Sequence, residues 1–273
     1  MTRPLLACGA LTLGLALAGC SVRDSGNDPV TVKTDIPAAG IQHLVFQSTA
    51  GEAKIGVSPD DAIHATLKMQ PEERRVLGIT LDAQATIKDV EATKVGQDRK
   101  GDTLTLTAAF PSGSDHNSDV KQEWEVLVPA RLSVDASMKE GRLKIDGVTG
   151  GVKAQLAAGE VVIHVPGGPI YGRLSAGRLH VISDAEQPRE LMLKSTFGLA
   201  VLSLGGQYYG PPPDDQQQGF FAHLHMFGNT LSQHGKGKDD VDLKVTAGLA
   251  DLRFGPLGDD KEVRRDVFKD DSD

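Results

Sequence analysis

Cysteine is nearly absent from this chain. Cys8 and Cys20 are the only two among 273 residues, and both lie in the apolar opening segment. Nothing beyond residue 20 can be stapled by a disulfide, so the fold must hold by burial and backbone hydrogen bonds. Aromatic residues are 4% of the chain, which leaves Val, Ile, Leu and Ala to build the core. Positive charge is the minority sign, with 29 Lys and Arg against 37 Asp and Glu and a net charge of −8. No basic stripe interleaved with aromatics exists, which argues against a nucleic-acid partner. Past the opening segment no run is long and apolar enough for a membrane-spanning helix. The nucleophile elbow Gly-x-Ser-x-Gly is missing too: the nearest stretch, Gly172 to Gly177, is one residue too long and leads into a strand pattern. The acids are dispersed. We expect no enzymatic activity and no cofactor.

What the chain has instead is a repeat. Glu140-Gly141-Arg142-Leu143-Lys144-Ile145 is followed by Ala158-Gly159-Glu160-Val161-Val162-Ile163, then Ala176-Gly177-Arg178-Leu179-His180-Val181, then Phe197-Gly198-Leu199-Ala200-Val201-Leu202. The glycines are 18, 18 and 21 residues apart. A further copy, Ala247 to Leu252, follows after 50 residues, and a sixth, Ala50-Gly51-Glu52-Ala53-Lys54-Ile55, lies far upstream. In each copy the second and fourth residues after the glycine are aliphatic, the period-2 mark of a strand with one buried face. The glycine suits a turn needing positive φ or close backbone approach. Between the motifs lie second apolar segments, so each repeat is read as two short strands and two turns. A period near 18 fits one rung of a stacked β-solenoid, with neighbouring rungs about 4.8 Å apart. One rung buries about five aliphatic side chains at roughly 2 kcal/mol each. Ordering its residues costs on the order of 1–2 kcal/mol apiece, so only a stack can be stable.

The third and fifth residues after each glycine face outward in this reading. They are Lys144 and Asp146, Val162 and His164, His180 and Ile182, Val201 and Ser203, and Asp251 and Arg253. A metal-binding or calcium-roll ladder would repeat one residue down a column. None is repeated, and the face reads as a solvated surface.

Residues 1–19 read as a targeting segment. Arg3 gives a positive start and Leu5 to Ala18 a short apolar core, ending in Leu17-Ala18-Gly19-Cys20. That ending resembles the bacterial lipoprotein cleavage box, which implies cleavage before Cys20 and acyl lipid such as palmitate on it; an ordinary signal peptide is the alternative. The implied address is the cell envelope, anchored to a membrane through Cys20. Ser21 after the cysteine favours the outer membrane if the host is diderm. Residues 20–40 are polar and read as a tether. Residues 41–131 look β-rich but less regular, with strands expected at Leu44–Gln47, Ala53–Val57, Ala62–Met69 and Leu104–Phe110. Ala83–Val95 is open between strand and helix. Pro111 to Asp119 is a polar turn around His116, and Trp124 either caps the first rung or stacks a ligand.

Val126-Leu127-Val128-Pro129-Ala130, Leu132-Ser133-Val134, the Gly-x-aliphatic-x-aliphatic units and the closing Lys238 to Leu252 together resemble a bacterial family. It is the β-strand-repeat "putative adhesin" family, a domain of unknown function. The resemblance spans residues 41–256, regular over 132–256, and implies a right-handed-solenoid-like all-β fold on an exported or envelope protein. It brings no catalytic residues. Residues 257–273 form a charged tail that ends the chain.

The insertion 205–237 departs from the family pattern and puts the continuity of the stack in question. It holds Tyr208, Tyr209, the prolines 211–213, Phe220 and Phe221. Proline cannot donate to a ladder, so the chain leaves the stack there. The four aromatics read as a binding loop on a rigid scaffold; alternatively Phe220, Phe221 and Phe227 fold back to cover an edge or end of the stack. His223 and His225 share one face of a strand at a spacing compatible with zinc or copper, though no third ligand is fixed and two ordinary histidines explain them as well. The function expected from the sequence is a non-catalytic, lipid-anchored envelope protein presenting its surface for binding or adhesion, with an envelope protein or surface glycan as partner. The alternatives are a periplasm-facing structural or envelope-stress lipoprotein and, from another class, a polysaccharide-active β-solenoid enzyme.

Overall fold

The glycine spacings reappear as pairing register. The computed structural model describes residues 29–71, 75–76, 79–80, 84–111, 120–183, 190–204, 222–227, 230–233 and 240–254. In chain order the elements are β1 (Val30–Pro37), β2 (His43–Ser48), β3 (Glu52–Val57), β4 (Ala62–Pro71), the short pair β5 (Arg75–Val76) and β6 (Ile79–Thr80), and α1 (Gln84–Ala92). There follow β7 (Lys94–Lys100), β8 (Thr103–Ala109), β9 (Val120–Val128), β10 (Ser133–Asp146), β11 (Val152–Val165), β12 (Ile170–Ser183), β13 (Glu190–Leu204), β14 (Ala222–Phe227), β15 (Thr230–Gln233) and β16 (Asp240–Phe254). The described chain is nearly all strand, in one open sheet of 14 strands plus the pair β5–β6. Ala83–Val95, open from sequence, contains α1, which lays Val90 into the core.

Strands β10, β11, β12, β13 and β16 run parallel side by side. Gly141 faces Gly159, Gly159 faces Gly177, Gly177 faces Gly198 and Gly198 faces Gly248. The sequence offsets are therefore the register offsets. Each repeat runs as 14 or 15 consecutive strand residues, but its ladder skips one position just before the glycine, between Met138 and Glu140 in β10, so it has the two halves expected. The glycine sits inside the strand at positive φ, +115° at Gly141 and +127° at Gly159. No side chain fits there: a Cβ on Gly159 would stand 1.9 Å from the carbonyl oxygen of Gly141. On either side of this column the aliphatic residues alternate inward. Val134, Val152, Ile170 and Leu191 form one buried row before the glycines; Leu143, Val161 and Leu179 form another after them.

The same register extends into residues 41–131, which sequence left irregular. β2 pairs with the first half of β10 and β3 with its second half, so that Leu44 faces Val134 and Ile55 faces Ile145. The upstream copy at Gly51 is thus the direct neighbour of the first repeat. Beyond it, β8 pairs in parallel with β2 and β9 with β3. Spatial order departs from chain order here, because β8 and β9 follow β3 in sequence yet lie outside it. Trp124 on β9 is 2% exposed and meets Phe46 edge-on, ring centroids 5.3 Å apart. It closes the core at this end, and burial removes its ring from any role in stacking a ligand.

Antiparallel strands finish both ends of the parallel run. β4 pairs with β9, β1 with β4, and β7 with β8. At the other end β14 and β15 pair with β16. Within the stretch 20–40 read as a tether, residues 30–37 form β1, where Val30, Val32 and Ile36 alternate and pack on the core; residues 20–28 lie outside the described residues. The doubt over continuity is also answered, since β13 pairs with β16 across the insertion from Glu190 to Leu204.

A second correction concerns the outward face. Val162, His180, Ile182 and Val201 are only 5%, 4%, 4% and 5% exposed. Both faces of these strand ends are buried, as their aliphatic run suits. Among the described residues of these columns, Lys144, Asp146 and His164 are not buried and keep the solvated reading.

Candidate functional site: a charged face beside the glycine column

The residue directly after each glycine points away from the core, and across neighbouring strands these residues form a row. Register places Glu123 beside Glu52, Glu52 beside Arg142, Arg142 beside Glu160 and Glu160 beside Arg178. The carboxylate of Glu160 is bridged from both sides: Arg142 Nε lies 2.9 Å from Oε2 and Arg178 Nη1 lies 3.8 Å from Oε1. Where two acids adjoin, cations from flanking positions enter. Lys121 Nζ is 2.9 Å and Lys68 Nζ 3.2 Å from Glu123. The hydrogen bond from Lys121, then that from Lys68, holds the Glu123 carboxyl below the ordinary carboxylate value against the opposing effect of partial burial. Lys54 Nζ stands 3.7 Å from Glu52.

Two residues further on, a second row reads Glu125, Lys54, Lys144 and Val162. Beside it Asp146 faces His164, with Asp146 Oδ1 2.9 Å from His164 Nδ1. Together Lys54, Glu125, Lys144, Asp146 and His164 line an open groove of about 380 Å³ that runs over Gly56. A side chain at Gly56 would press on Leu127, its Cβ coming 3.3 Å from Leu127 Cδ2. A smaller hollow of about 250 Å³ shares Lys54 and Glu125 and adds Lys68 and Glu123. These pairs are exposed or half-exposed, so each contributes about 0–1 kcal/mol to stability. Their effect is to fix a surface of alternating sign, which selects partners by charge pattern more than by net charge.

The residues singled out from sequence fall elsewhere. Cys20, Tyr208, Tyr209, Phe220 and Phe221 lie outside the described residues, as do His116 and the charged tail 257–273. His223 and His225 are on β14, in register with Arg253 and Asp251 of β16. Among the described residues no group of three or more His, Cys, Asp or Glu is placed to hold a metal ion. His164 and His180 are not register partners: His164 faces Asp146 and Ile182, whereas His180 faces Val162 and Val201. The third and fifth places after each glycine do not reveal the charged row. The first place, Glu52, Arg142, Glu160 and Arg178, carries the signal once the glycines are aligned.

No family model matches the chain, and no curated protein matches it. Solved structures are similar to it at low identity, two of them as follows. A "putative cell adhesion protein" from Clostridium sporogenes is 11% identical, covering 84% of this chain and 100% of that one at a TM-score of 0.40. A "putative lipid binding protein" from Parabacteroides distasonis is 10% identical, covering 66% of this chain and 83% of that one at a TM-score of 0.23. Likenesses this distant carry no argument about activity. The class that the strands themselves define is an all-β protein built on a long parallel ladder.

Proposed function

We propose that this chain is a non-catalytic, lipid-anchored protein of the cell envelope whose β-solenoid presents a surface for binding or adhesion. The solenoid reading is supported by reach. A 14-residue strand is roughly 46 Å long if straight, yet β10 is joined to its parallel neighbour β11 by residues 147–151, which span at most about 20 Å. The strand has to turn back on itself at Gly141 so that each repeat makes one coil. The envelope address rests on Leu17 to Cys20. Among the described residues no helix is long and apolar enough to cross a membrane.

The observation that carries the binding role is the row of alternating charge on a rigid ladder, with the groove at Lys54, Lys144, Glu125, Asp146 and His164 as its centre. A partner with a matching charge pattern, an envelope protein or a charged surface glycan, is the occupant that fits. Tyr208, Tyr209, Phe220 and Phe221 are proposed as additional contacts. The test has three parts. Cys20→Ser is expected to abolish acyl-lipid labelling and release the protein from membranes. Protease shaving of intact against lysed cells then fixes the side: cleavage of intact cells supports adhesion, whereas cleavage only after lysis replaces it with a periplasmic partner. On either side Lys54→Glu with Lys144→Glu is expected to weaken partner capture at least tenfold. Unchanged capture by that variant, with the four aromatics also replaced by alanine, would refute a binding role for these surfaces.

A further inference from the structure

Away from the charged face, the last parallel pair comes apart. β8 follows β2 in register from Thr103–His43 to Leu106–Phe46 and then stops, while β2 stays on β10 as far as Ser48–Met138. The divergence opens a cleft of about 450 Å³ whose walls include Ser48, Thr107, Phe110, Ser137 and Met138. Gln122 also lines it. This residue is 1% exposed, and neither its Nε2 nor its Oε1 has a hydrogen-bond partner. On the same face of β9, two residues along, the indole Nε1 of Trp124 is buried and unpartnered as well.

The position of Gln122 sharpens the anomaly. Register continues the glycine column outward from Gly141 to Gly51 and then to Gln122, whose carbonyl oxygen would lie 2.0 Å from a Cβ on Gly51. Gly51, Gly141, Gly159, Gly177 and Gly198 put no side chain at this column; β9 puts a carboxamide there. Leaving a buried amide unsatisfied costs about 1–3 kcal/mol for each group. An apolar residue of the same size would avoid that cost.

We infer that the cleft is a binding site for a neutral N-acetylated saccharide. Gln122 Oε1 accepts the acetamido N–H and Nε2 donates to a neighbouring sugar oxygen. The hydroxyls of Thr107 and Ser137 supply further donors and acceptors, Ser48 Oγ, which donates to Ala50 O at 3.2 Å, supplies an acceptor, and Phe110 and Met138 supply the apolar surface that an acetyl methyl and a sugar's C–H face require. Lys139 is the one charged residue lining the cleft, and no carboxylate lines it. The volume lies within the usual range for small-molecule sites.

The test is saturation-transfer NMR and calorimetry on the full chain in detergent, with the disaccharide of N-acetylglucosamine as probe and the disaccharide of glucose as control. Transfer strongest at the acetyl methyl and at least tenfold weaker binding of the glucose disaccharide are expected. Gln122→Met, which keeps the volume and removes the amide, is expected to lose that preference and to melt no lower than the parent. Should it fail to fold, Ser137→Trp on the outward row of β10 blocks the mouth without entering the core and is expected to abolish transfer. Equal binding of the two disaccharides, retained binding in both variants, or no transfer at all would overturn the proposal and assign the cleft to water. Charge reversal at Lys54 and Lys144 is expected to leave this binding unchanged, which separates the cleft from the charged face.

Discussion

Replacing Gly141 by alanine sets a Cβ 1.9 Å from the carbonyl oxygen of Gly51. That oxygen accepts the backbone N–H of Arg142 at 2.9 Å, one of the bonds joining β3 to β10. Contact becomes ordinary near 3.4 Å, so the two strands must separate by about 1.5 Å, more than the hydrogen bond tolerates. A lost bond with its donor left unsatisfied costs about 1–3 kcal/mol. Holding alanine at φ +115°, well outside the left-handed helical region, adds about 1–3 kcal/mol. The expected loss is therefore about 2–6 kcal/mol, a large share of the 5–15 kcal/mol typical of a folded domain. Gly101 is the internal control: its φ is +65° and a Cβ there meets nothing within 4 Å, so Gly101→Ala is expected to cost about 1 kcal/mol. Urea denaturation followed through Trp124, the single tryptophan, reads both. If Gly141→Ala costs no more than Gly101→Ala, the glycine column is not held by close backbone contact and the reasoning fails.

Phe46→Ala removes the ring against which Trp124 packs. It is expected to cost about 3–5 kcal/mol and to alter the near-ultraviolet dichroism of Trp124 in the folded protein; an unchanged spectrum would contradict the packing. His64 lies between Asp35 Oδ1 at 2.6 Å and Asp60 Oδ1 at 2.9 Å, joining β1 to β4. Its pKa is raised above 6.5, first by the hydrogen bond to Asp35 and then by that to Asp60, so its contribution is complete below pH 6.5 and lost as pH rises through the raised value. Asp60 moves the other way, its pKa lowered below 3.8 chiefly by His64, so its contribution is complete above pH 3.8 and lost as pH falls through the lowered value. Amide exchange in β1 is therefore expected to quicken above the His64 pKa, beyond the intrinsic pH dependence, and His64→Gln to remove the extra step. Deleting residues 222–233 takes β14 and β15 off β16, and self-association through the bared edge, read by light scattering, is expected to rise.

The parallel part of the fold was legible because glycine spacing is a register in disguise. Offsets of 18, 18, 21 and 50 residues place Gly141, Gly159, Gly177, Gly198 and Gly248 in one column whatever the loops between them do. The strands at β2, β3, β4 and β8 were legible from alternation alone. The neighbour built from β8 and β9 was not, for two physical reasons: its column member is Gln122 and not glycine, and residues 110–119 separate its halves. Its pairing also joins Ile55 to Val126, a contact local pattern cannot announce. Burial of Val162 and His180 was hidden because alternation assigns faces but not whether the second face is covered. The charged row was legible and overlooked; the cleft at Gln122 depends on where β8 parts from β2 and has no sequence signature.

The departures from the repeat are concentrated where a parallel ladder needs them. Each interior strand hydrogen-bonds on both sides to a copy like itself, and glycine at the column is the only residue whose backbone can be approached so closely from the next strand. A terminal strand has one such neighbour only, and its other edge would offer unpaired backbone to any passing strand. At the β16 end the edge is taken by β14 and β15, both drawn from the insertion that interrupts the repeat. At the β9 end it is taken by β4, with β1 beyond it, and β7 covers β8. Antiparallel pairing at both ends breaks the register that would otherwise invite further copies. It also relaxes the demand for glycine: β9 meets Gly51 on one side and an antiparallel strand on the other. Gln122 can therefore bear a side chain where Gly141 cannot, and the end of the ladder is the one place in the column where the fold leaves room for chemistry.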